Sequence, residues 1–182
     1  MSNPQIERLR ATLLRRGMLA SLPPPVPSES SAATTPWKPE QLELAFRVRP
    51  FAEAMFLVIG AKADIGERER DALRGALRTL TDNLLSGEAL DKMLAEFEIA
   101  RAEEGPEARL DAVASALYWD AADADLALKL AIAAAEVDGR LDAREQVIVH
   151  ALAARLRVSD ARLAELLEGD SQGANLDYTA GE

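Results

Sequence analysis

Two stretches of this chain are apolar around nearly the whole helical circumference, and they repeat 74 residues apart. The first covers roughly residues 50–63 and contains AMFLVIGA, and the second contains LALKLAIAAAEV after Asp123 or Asp125. An acidic turn and a segment with apolar residues at helical spacing follow each of them. A helix that is apolar all round must be buried, and a repeated helical hairpin buries its apolar face against its own copy. The repeat therefore predicts a helical bundle built from two pseudo-repeated helical hairpins.

The composition favours helices throughout this bundle. Alanine and leucine number 35 and 27, whereas valine and isoleucine together number only 14. Small and straight-chain residues lose the least conformational freedom in a helix, and β-branched residues lose more. We therefore predict an all-α fold with about seven helices.

Four parts of the chain differ in composition. Residues 1–20 mix leucine with arginine at helical spacing and are predicted to form a basic amphipathic arm. Residues 21–37 are rich in proline and serine, which predicts a linker. The apolar stripes lie within residues 38–168, the predicted helical domain, and residues 169–182 have no apolar period and are predicted to be a disordered tail.

The segment that begins the domain is predicted to form a lead-in helix of its own. Pro39 suits the first turn of such a helix, and a second helix is predicted over residues 50–63, from Pro50 onward. Three side chains of the lead-in helix are predicted to face the core, namely Leu42, Leu44 and Phe46. Further along, Leu84 and Ile99 are predicted to face inward, and Gly105 with Pro106 is predicted to end one helix and begin the next.

The second turn carries a motif of defined spacing. An alanine, an Asp-Gly-x-Leu turn and a glutamate seven residues after the aspartate occur as Ala135, Asp138, Gly139, Leu141 and Glu145. This arrangement resembles the TerB-like family, the tellurite-resistance helical domains built from two such hairpins, over about residues 50–167. The first copy departs from the motif, since at an offset of 74 residues Ile65 stands where the second copy has its glycine. The resemblance implies a non-catalytic interaction or stress-sensing domain, often linked to membranes and larger assemblies, and an acidic metal site has been proposed for some members.

Two interpretations of the acidic turns follow from the residues. In the first, Asp142 caps a helix and Glu145 returns to the backbone amide of Asp142, with Gly66 and Glu69 forming a weaker version of the same device. In the second, carboxylates from both hairpins enclose calcium or magnesium, which need several oxygen ligands. The candidate metal ligands are Asp64, Asp71, Asp138, Asp142 and Glu145, with Glu69 as a further carboxylate of the first hairpin.

The remaining residue types make an enzymatic reaction unexpected. The chain has no cysteine and a single histidine, His150, so a thiolate nucleophile or a di-iron centre with two Glu-x-x-His pairs is excluded. The net charge of −10 argues against nucleic-acid binding, which needs many Lys and Arg side chains on phosphates. We expect a protein partner in the cytoplasm, or an adaptor whose residues 1–20 bind a partner or an anionic membrane surface peripherally. Docking of residues 1–20 onto the acidic body of the chain is the alternative.

Overall fold

The computed structural model describes residues 4–15, 39–62, 65–85, 87–117, 120–136 and 141–171. Within these ranges the chain forms eight α-helices and no strand, so the predicted all-α bundle of about seven helices is confirmed. The predicted linker 21–37 lies outside the described residues, as does the predicted tail beyond Ser171. The helices are α1 (Pro4–Arg15), α2 (Pro39–Ile59), α3 (Glu67–Leu80), α4 (Gly87–Glu104), α5 (Pro106–Leu117), α6 (Ala121–Ala135), α7 (Ala143–Arg155) and α8 (Asp160–Ser171).

The two helices that are apolar on all sides form the centre of the bundle. Among the described elements, α2 and α6 make the most extensive contact with each other. Every residue of α2 from Phe51 to Ile59 is buried, and α6 is buried at nearly every position from Leu126 to Ala134. The predicted central burial of the repeated helices is therefore confirmed.

One continuous helix, α2, replaces the two helices that the sequence predicts around Pro50. Pro39 lies in the first turn as predicted, but Pro50 lies inside the helix. Proline has no N–H and destabilises a helix interior by about 3 kcal/mol or more. Val48 before Pro50 and Phe51 after it are both buried. Burial of each large apolar side chain contributes about 1.5–3 kcal/mol, so this shared buried face offsets the interruption.

The predicted inward face of the lead-in segment is wrong for two of its three residues. Leu44 is buried as predicted, but Leu42 is 53% exposed and Phe46 is 79% exposed. Residues two apart on an α-helix differ by about 200° around the axis, so alternate positions lie on opposite sides. The alternation of these three residues is typical of a strand face and does not form a helix face.

Two further predictions of buried residues are also wrong. Leu84 is exposed because α3 ends at Leu80. The chain then turns through Asp82 and Asn83, which have left-handed φ angles of 54° and 59°. Ile99 is exposed because it follows the buried Phe97 by two residues and so lies on the opposite side of α4.

The helix α1, from the predicted basic arm, packs against α3 and α6. Its Ile6 is buried in the core and Leu9 is half-buried against it. Nη2 of Arg10 also lies 2.7 Å from Oδ2 of Asp82. Ile6 and Leu9 are two of the apolar side chains that would enter a membrane or a partner groove, and their insertion requires α1 to leave α3 and α6. No helix in the described part of the chain has both the length and the apolar character to cross a bilayer.

Three helix ends follow their sequence signals. Gly105 follows α4 with a φ of 85°, which side-chain-bearing residues rarely adopt, and Pro106 is the first residue of α5. The carboxylate of Asp120 accepts a hydrogen bond of 2.8 Å from the N–H of Ala122 and so caps the start of α6. The predicted end of α4 and start of α5 are therefore confirmed, whereas α6 begins at Ala121 and not at the predicted Asp123 or Asp125, because Asp120 provides the cap.

Candidate functional site

The residues that follow the two central helices meet at the N-terminal end of α7. Nζ of Lys62, three residues after the end of α2, lies 3.1 Å from Oδ2 of Asp142 and 3.8 Å from Oε1 of Glu145. Asp142 immediately precedes α7 and Glu145 lies in its first turn. The structure therefore brings together two of the five predicted metal ligands, and it places an ammonium group of the chain itself against both.

The backbone of α7 uses the same two carboxylates. Oδ1 of Asp142 accepts hydrogen bonds from the N–H groups of Arg144 and Glu145 at 2.8 and 2.9 Å. Oε2 of Glu145 accepts a hydrogen bond of 2.8 Å from the N–H of Asp142. This reciprocal arrangement is a capping box, so the predicted cap is confirmed. One oxygen of each carboxylate accepts the hydrogen bonds of the capping box, and the other oxygen faces Lys62.

Only half of this device exists at the start of α3. Oε2 of Glu69 accepts a hydrogen bond of 2.5 Å from the N–H of Gly66. Gly66 has no side chain and cannot accept a bond in return. The first turn thus satisfies one amide where the second turn satisfies three, as the weaker cap predicted from the sequence requires.

The helix ends place the two hairpins 76 residues apart, which corrects the offset of 74. Gly66 precedes α3 as Asp142 precedes α7, and Glu69 occupies the same position in its helix as Glu145. At this offset the buried face also repeats, since the buried residues of α3 match buried residues of α7. The matched pairs are Leu73 with Val149, Ala76 with Leu152, and Leu77 with Ala153.

At the offset of 74 Asp71 corresponds to Glu145, whereas at the corrected offset of 76 it does not. Asp71 is exposed on α3, where its Oδ1 accepts a hydrogen bond of 2.9 Å from Arg74. Asp64 and Asp138 lie outside the described residues. Within the described ranges no three His, Cys, Asp or Glu side chains are grouped so that they could hold a metal ion. A calcium or magnesium site that uses Asp64 and Asp138 stays a prediction.

Opposite charges at this junction stabilise each other. The pKa of the Lys62 amine is raised, first by its hydrogen bond to Asp142 and then by the negative charge of Glu145. The pKa of the Asp142 carboxyl is lowered, first by the N–H of Glu145 and then by the ammonium of Lys62. Both groups are therefore charged at neutral pH, and the ammonium supplies the positive charge that a metal ion would otherwise bring.

Arg101 of α4 holds the start of the first turn in place. Its Nη1 donates a hydrogen bond of 2.6 Å to the carbonyl of Gly60, just beyond the C-terminus of α2. Its guanidinium also lies 5.6 Å from the ring centroid of Phe56. A cation at a helix C-terminus is favoured by the helix dipole. Arg101 therefore fixes the backbone two residues before Lys62.

A buried ion pair crosses the bundle between α2 and α5. Nε and Nη2 of Arg109 donate hydrogen bonds of 2.7 and 2.9 Å to the two carboxylate oxygens of Glu53, and the Glu53 residue is 4% exposed. Arg109 also donates a bond of 2.9 Å to Glu104. The pKa of Arg109 is raised, first by its hydrogen bond to Glu53. Both carboxylate oxygens of Glu53 are engaged, so the pair is a structural link.

An exposed row of apolar side chains runs along the first half of α2, and we call it the α2 stripe. It consists of Leu42, Phe46 and Pro50, spaced four residues apart, and of these Pro50 is half-buried. Because Pro50 has no N–H, the carbonyl of Phe46 does not accept the hydrogen bond that residue 50 of a regular helix would donate. Glu43 and Arg47 flank the stripe on one edge, with Nη2 of Arg47 3.3 Å from Oε1 of Glu43.

The sequence interpretation missed three cations of these sites. Lys62, Arg101 and Arg109 were not predicted as site residues, because each reaches a partner that is distant in sequence or lies in the other hairpin. The offset of 76 contains one signal, since it aligns Lys62 with Asp138 and so pairs opposite charges in equivalent positions. By contrast, His150 is an exposed surface residue, with Nδ1 2.8 Å from the carbonyl of Gln146.

Comparison with known protein families, with curated proteins and with solved structures finds no match for this chain. The TerB-like resemblance therefore rests on the motif of the second turn and on the repeated hairpin.

Proposed function

We propose that this chain is a non-catalytic helical interaction domain that binds a protein partner through the α2 stripe. The observation that carries this proposal is the exposure of Leu42 and Phe46 on one face of α2, at 53% and 79%. Single exposed apolar residues are common on protein surfaces. Two that are four residues apart on one helix form the kind of contact row by which helices bind grooves or other helices.

The surroundings of the α2 stripe support the proposal. Buried Leu44 and Val48 fix the opposite side of α2 in the core, so the stripe is presented by a rigid element. Nη1 of Arg49 donates a bond of 2.6 Å to Oε2 of Glu96, which ties this half of α2 to α4. A preorganised surface loses less conformational freedom on binding, which favours association.

The acidic junction has a structural role in this proposal. Asp142 and Glu145 start α7, and Lys62 connects them to the end of α2. A TerB-like role in stress sensing, with or without a divalent cation, is compatible with these contacts and rests on the sequence motif. Binding to a membrane or a partner through the arm would need α1 to give up the burial of Ile6.

Photo-crosslinking from position 46 tests the proposal. Benzoylphenylalanine replaces Phe46 in the full chain, which is expressed in its native cell and irradiated. We expect a covalent protein adduct that Leu42→Asp abolishes, because the aspartate places an unpaired charge in the contact. The matched control replaces Val147, which is 66% exposed on α7. The proposal is overturned by equal adduct yields from positions 46 and 147, or by no adduct from position 46.

A further inference from the structure

We infer that the partner of the α2 stripe is a second copy of this chain, bound with the two α2 helices antiparallel. The inference rests on the proposed function and names the occupant of the same surface. It is carried by the charges beside the stripe, which are complementary to themselves when the helix direction is reversed.

The edge of the α2 stripe carries one acid and one base, four residues apart. Glu43 and Arg47 lie about 100° and 140° from Leu42 around the helix axis, so they share one edge of the stripe. Their side chains are 42% and 34% exposed, and they already lie 3.3 Å apart on the same helix. Both groups are therefore within reach of a neighbouring helix laid along the stripe.

A two-fold axis brings equal edges of two antiparallel helices together and reverses their direction. Glu43 of one copy then faces Arg47 of the second copy, and the reciprocal pair forms at the same time. In the same arrangement Leu42 of each copy faces Phe46 of the other. A parallel two-fold pair would instead place this edge against the opposite edge of the second α2, so neither of the two ion pairs would form. The residues of this edge thus select the antiparallel dimer.

The contact is small, and we expect weak and reversible association. A stable interface buries about 1,600 Å² in total, whereas one aromatic side chain supplies only about 150–250 Å². The net charge of −10 on each copy also opposes close approach. We expect a dissociation constant on the order of 0.1 mM.

Sedimentation equilibrium of the full chain tests the dimer. At a protein concentration of about 1 mM, well above the expected dissociation constant, the apparent mass should rise from 19.7 kDa toward twice that value. Phe46→Asp should keep the mass at the monomer value, whereas the matched surface variant Val147→Asp should associate like the wild type. A wild-type mass that stays at 19.7 kDa, or a Phe46→Asp variant that still associates, overturns the inference.

Charge reversal tests the antiparallel register. Glu43→Arg gives two bases on the edge and Arg47→Glu gives two acids, so each variant alone should associate less than the wild type. An equimolar mixture of the two should recover association, because every base then faces an acid of the other variant. A mixture that stays monomeric, with both variants folded by circular dichroism, overturns the antiparallel contact.

The two experiments separate this inference from the proposed function. An adduct of about twice the monomer mass from position 46 supports both. An adduct with a different protein, together with a wild-type chain that stays monomeric, refutes the second copy and leaves the α2 stripe as an interaction surface.

Discussion

Glu53 and Arg109 form two parallel hydrogen bonds, 2.7 and 2.9 Å long, between the central helix α2 and α5. Glu53 is surrounded in sequence by buried apolar residues of α2. A charged pair in such a place contributes little net stability over an apolar pair, but removing one partner leaves an uncompensated buried charge. The pair therefore tolerates joint replacement far better than single replacement.

Glu53→Ala should lower the free energy of unfolding by about 3–5 kcal/mol, because the half-buried Arg109 then loses its main partner. Urea denaturation measures the loss. The matched control is Glu104→Ala, which removes the exposed partner of Arg109 and should cost less than about 1 kcal/mol. Equal losses in the two variants would show that the bond between Arg109 and Glu53 contributes no more stability than the bond between Arg109 and Glu104.

Two glycines should respond in opposite directions to alanine. A Cβ at Gly60 would lie 2.5 Å from Nη1 of Arg101 and 2.8 Å from the carbonyl oxygen of Phe56. Gly60→Ala should therefore cost about 1–3 kcal/mol. A Cβ at Gly75, in the middle of α3, meets nothing within 4 Å, and Gly75→Ala should stabilise the protein by about 0.5–1 kcal/mol. Thermal melts of both variants check the sign, and a stabilising Gly60→Ala would contradict the close approach of Arg101.

The pH dependence of the Lys62 contact follows from two opposite pKa shifts. The lowered pKa of Asp142 gives stability that is present above its ordinary value of 3.8 and lost as the pH falls below that value. The raised pKa of Lys62 gives stability that is present below 10.5 and lost as the pH rises above it.

Lys62→Met should consequently lower the free energy of unfolding only slightly near pH 7, since solvent screens the charges of Lys62 and Asp142. The difference from the wild type should shrink below about pH 4 and above about pH 10.5. Denaturation curves at pH 3, 7 and 11 measure it, with Lys92→Met on the exposed side of α4 as control. A difference that does not change with pH would exclude an ionic origin.

Removal of residues 1–20 should lower the melting temperature. If the arm did not dock onto the body, which is one of the alternatives that the sequence leaves open, this deletion would leave the melting temperature unchanged. In the structure Ile6 is buried against α3 and α6, and truncation of a buried isoleucine alone costs about 2–5 kcal/mol. Ile6→Ala should reproduce part of the loss, whereas exposed Ala11→Ser should not. A truncated chain that melts like the wild type would mean that α1 does not dock in solution.

Melting curves in chelator and in millimolar calcium or magnesium test the predicted cation site. We expect no difference for the wild type, because the ammonium of Lys62 already lies against Asp142 and Glu145 and offsets part of their negative charge. If carboxylates of both turns instead bind a cation, the ion should raise the melting temperature. Asp138→Asn should then stabilise the protein in chelator and abolish the gain from the ion.

Composition was enough to predict the helical class, the repeated apolar stretches their central burial, and the spacing of Asp142 and Glu145 the capping box of α7. These features depend on residues within a few positions of one another, as with Asp142 and Glu145. The continuity of α2 through Pro50 could not be predicted in this way. It depends on burial against the rest of the bundle, which overrides a local signal for a helix boundary.

The site was predictable only where its members are neighbours in sequence. Lys62 and Asp142 are 80 positions apart, and their contact follows from the way the hairpins pack. The offset of 74 aligned the apolar residues of the central helices, but it misaligned the turns by two residues relative to the offset of 76. Burial of Leu73 and Val149 at equivalent positions reveals the correct register.

The unequal caps of the two hairpins favour packing of the first hairpin against the second over packing of either hairpin against its own copy. The first hairpin has an ammonium at Lys62 and a helix start with half a cap. The second hairpin has two carboxylates, each with one oxygen that the capping box does not use. Two first hairpins packed together would bring Lys62 toward a helix start with one capping carboxylate, Glu69, where the second hairpin has two. In two second hairpins the position equivalent to Lys62 is Asp138, an acid in place of the base. During folding, or if two chains exchange hairpins, these charges favour contact between a first hairpin and a second hairpin. They disfavour contact between two copies of the same hairpin.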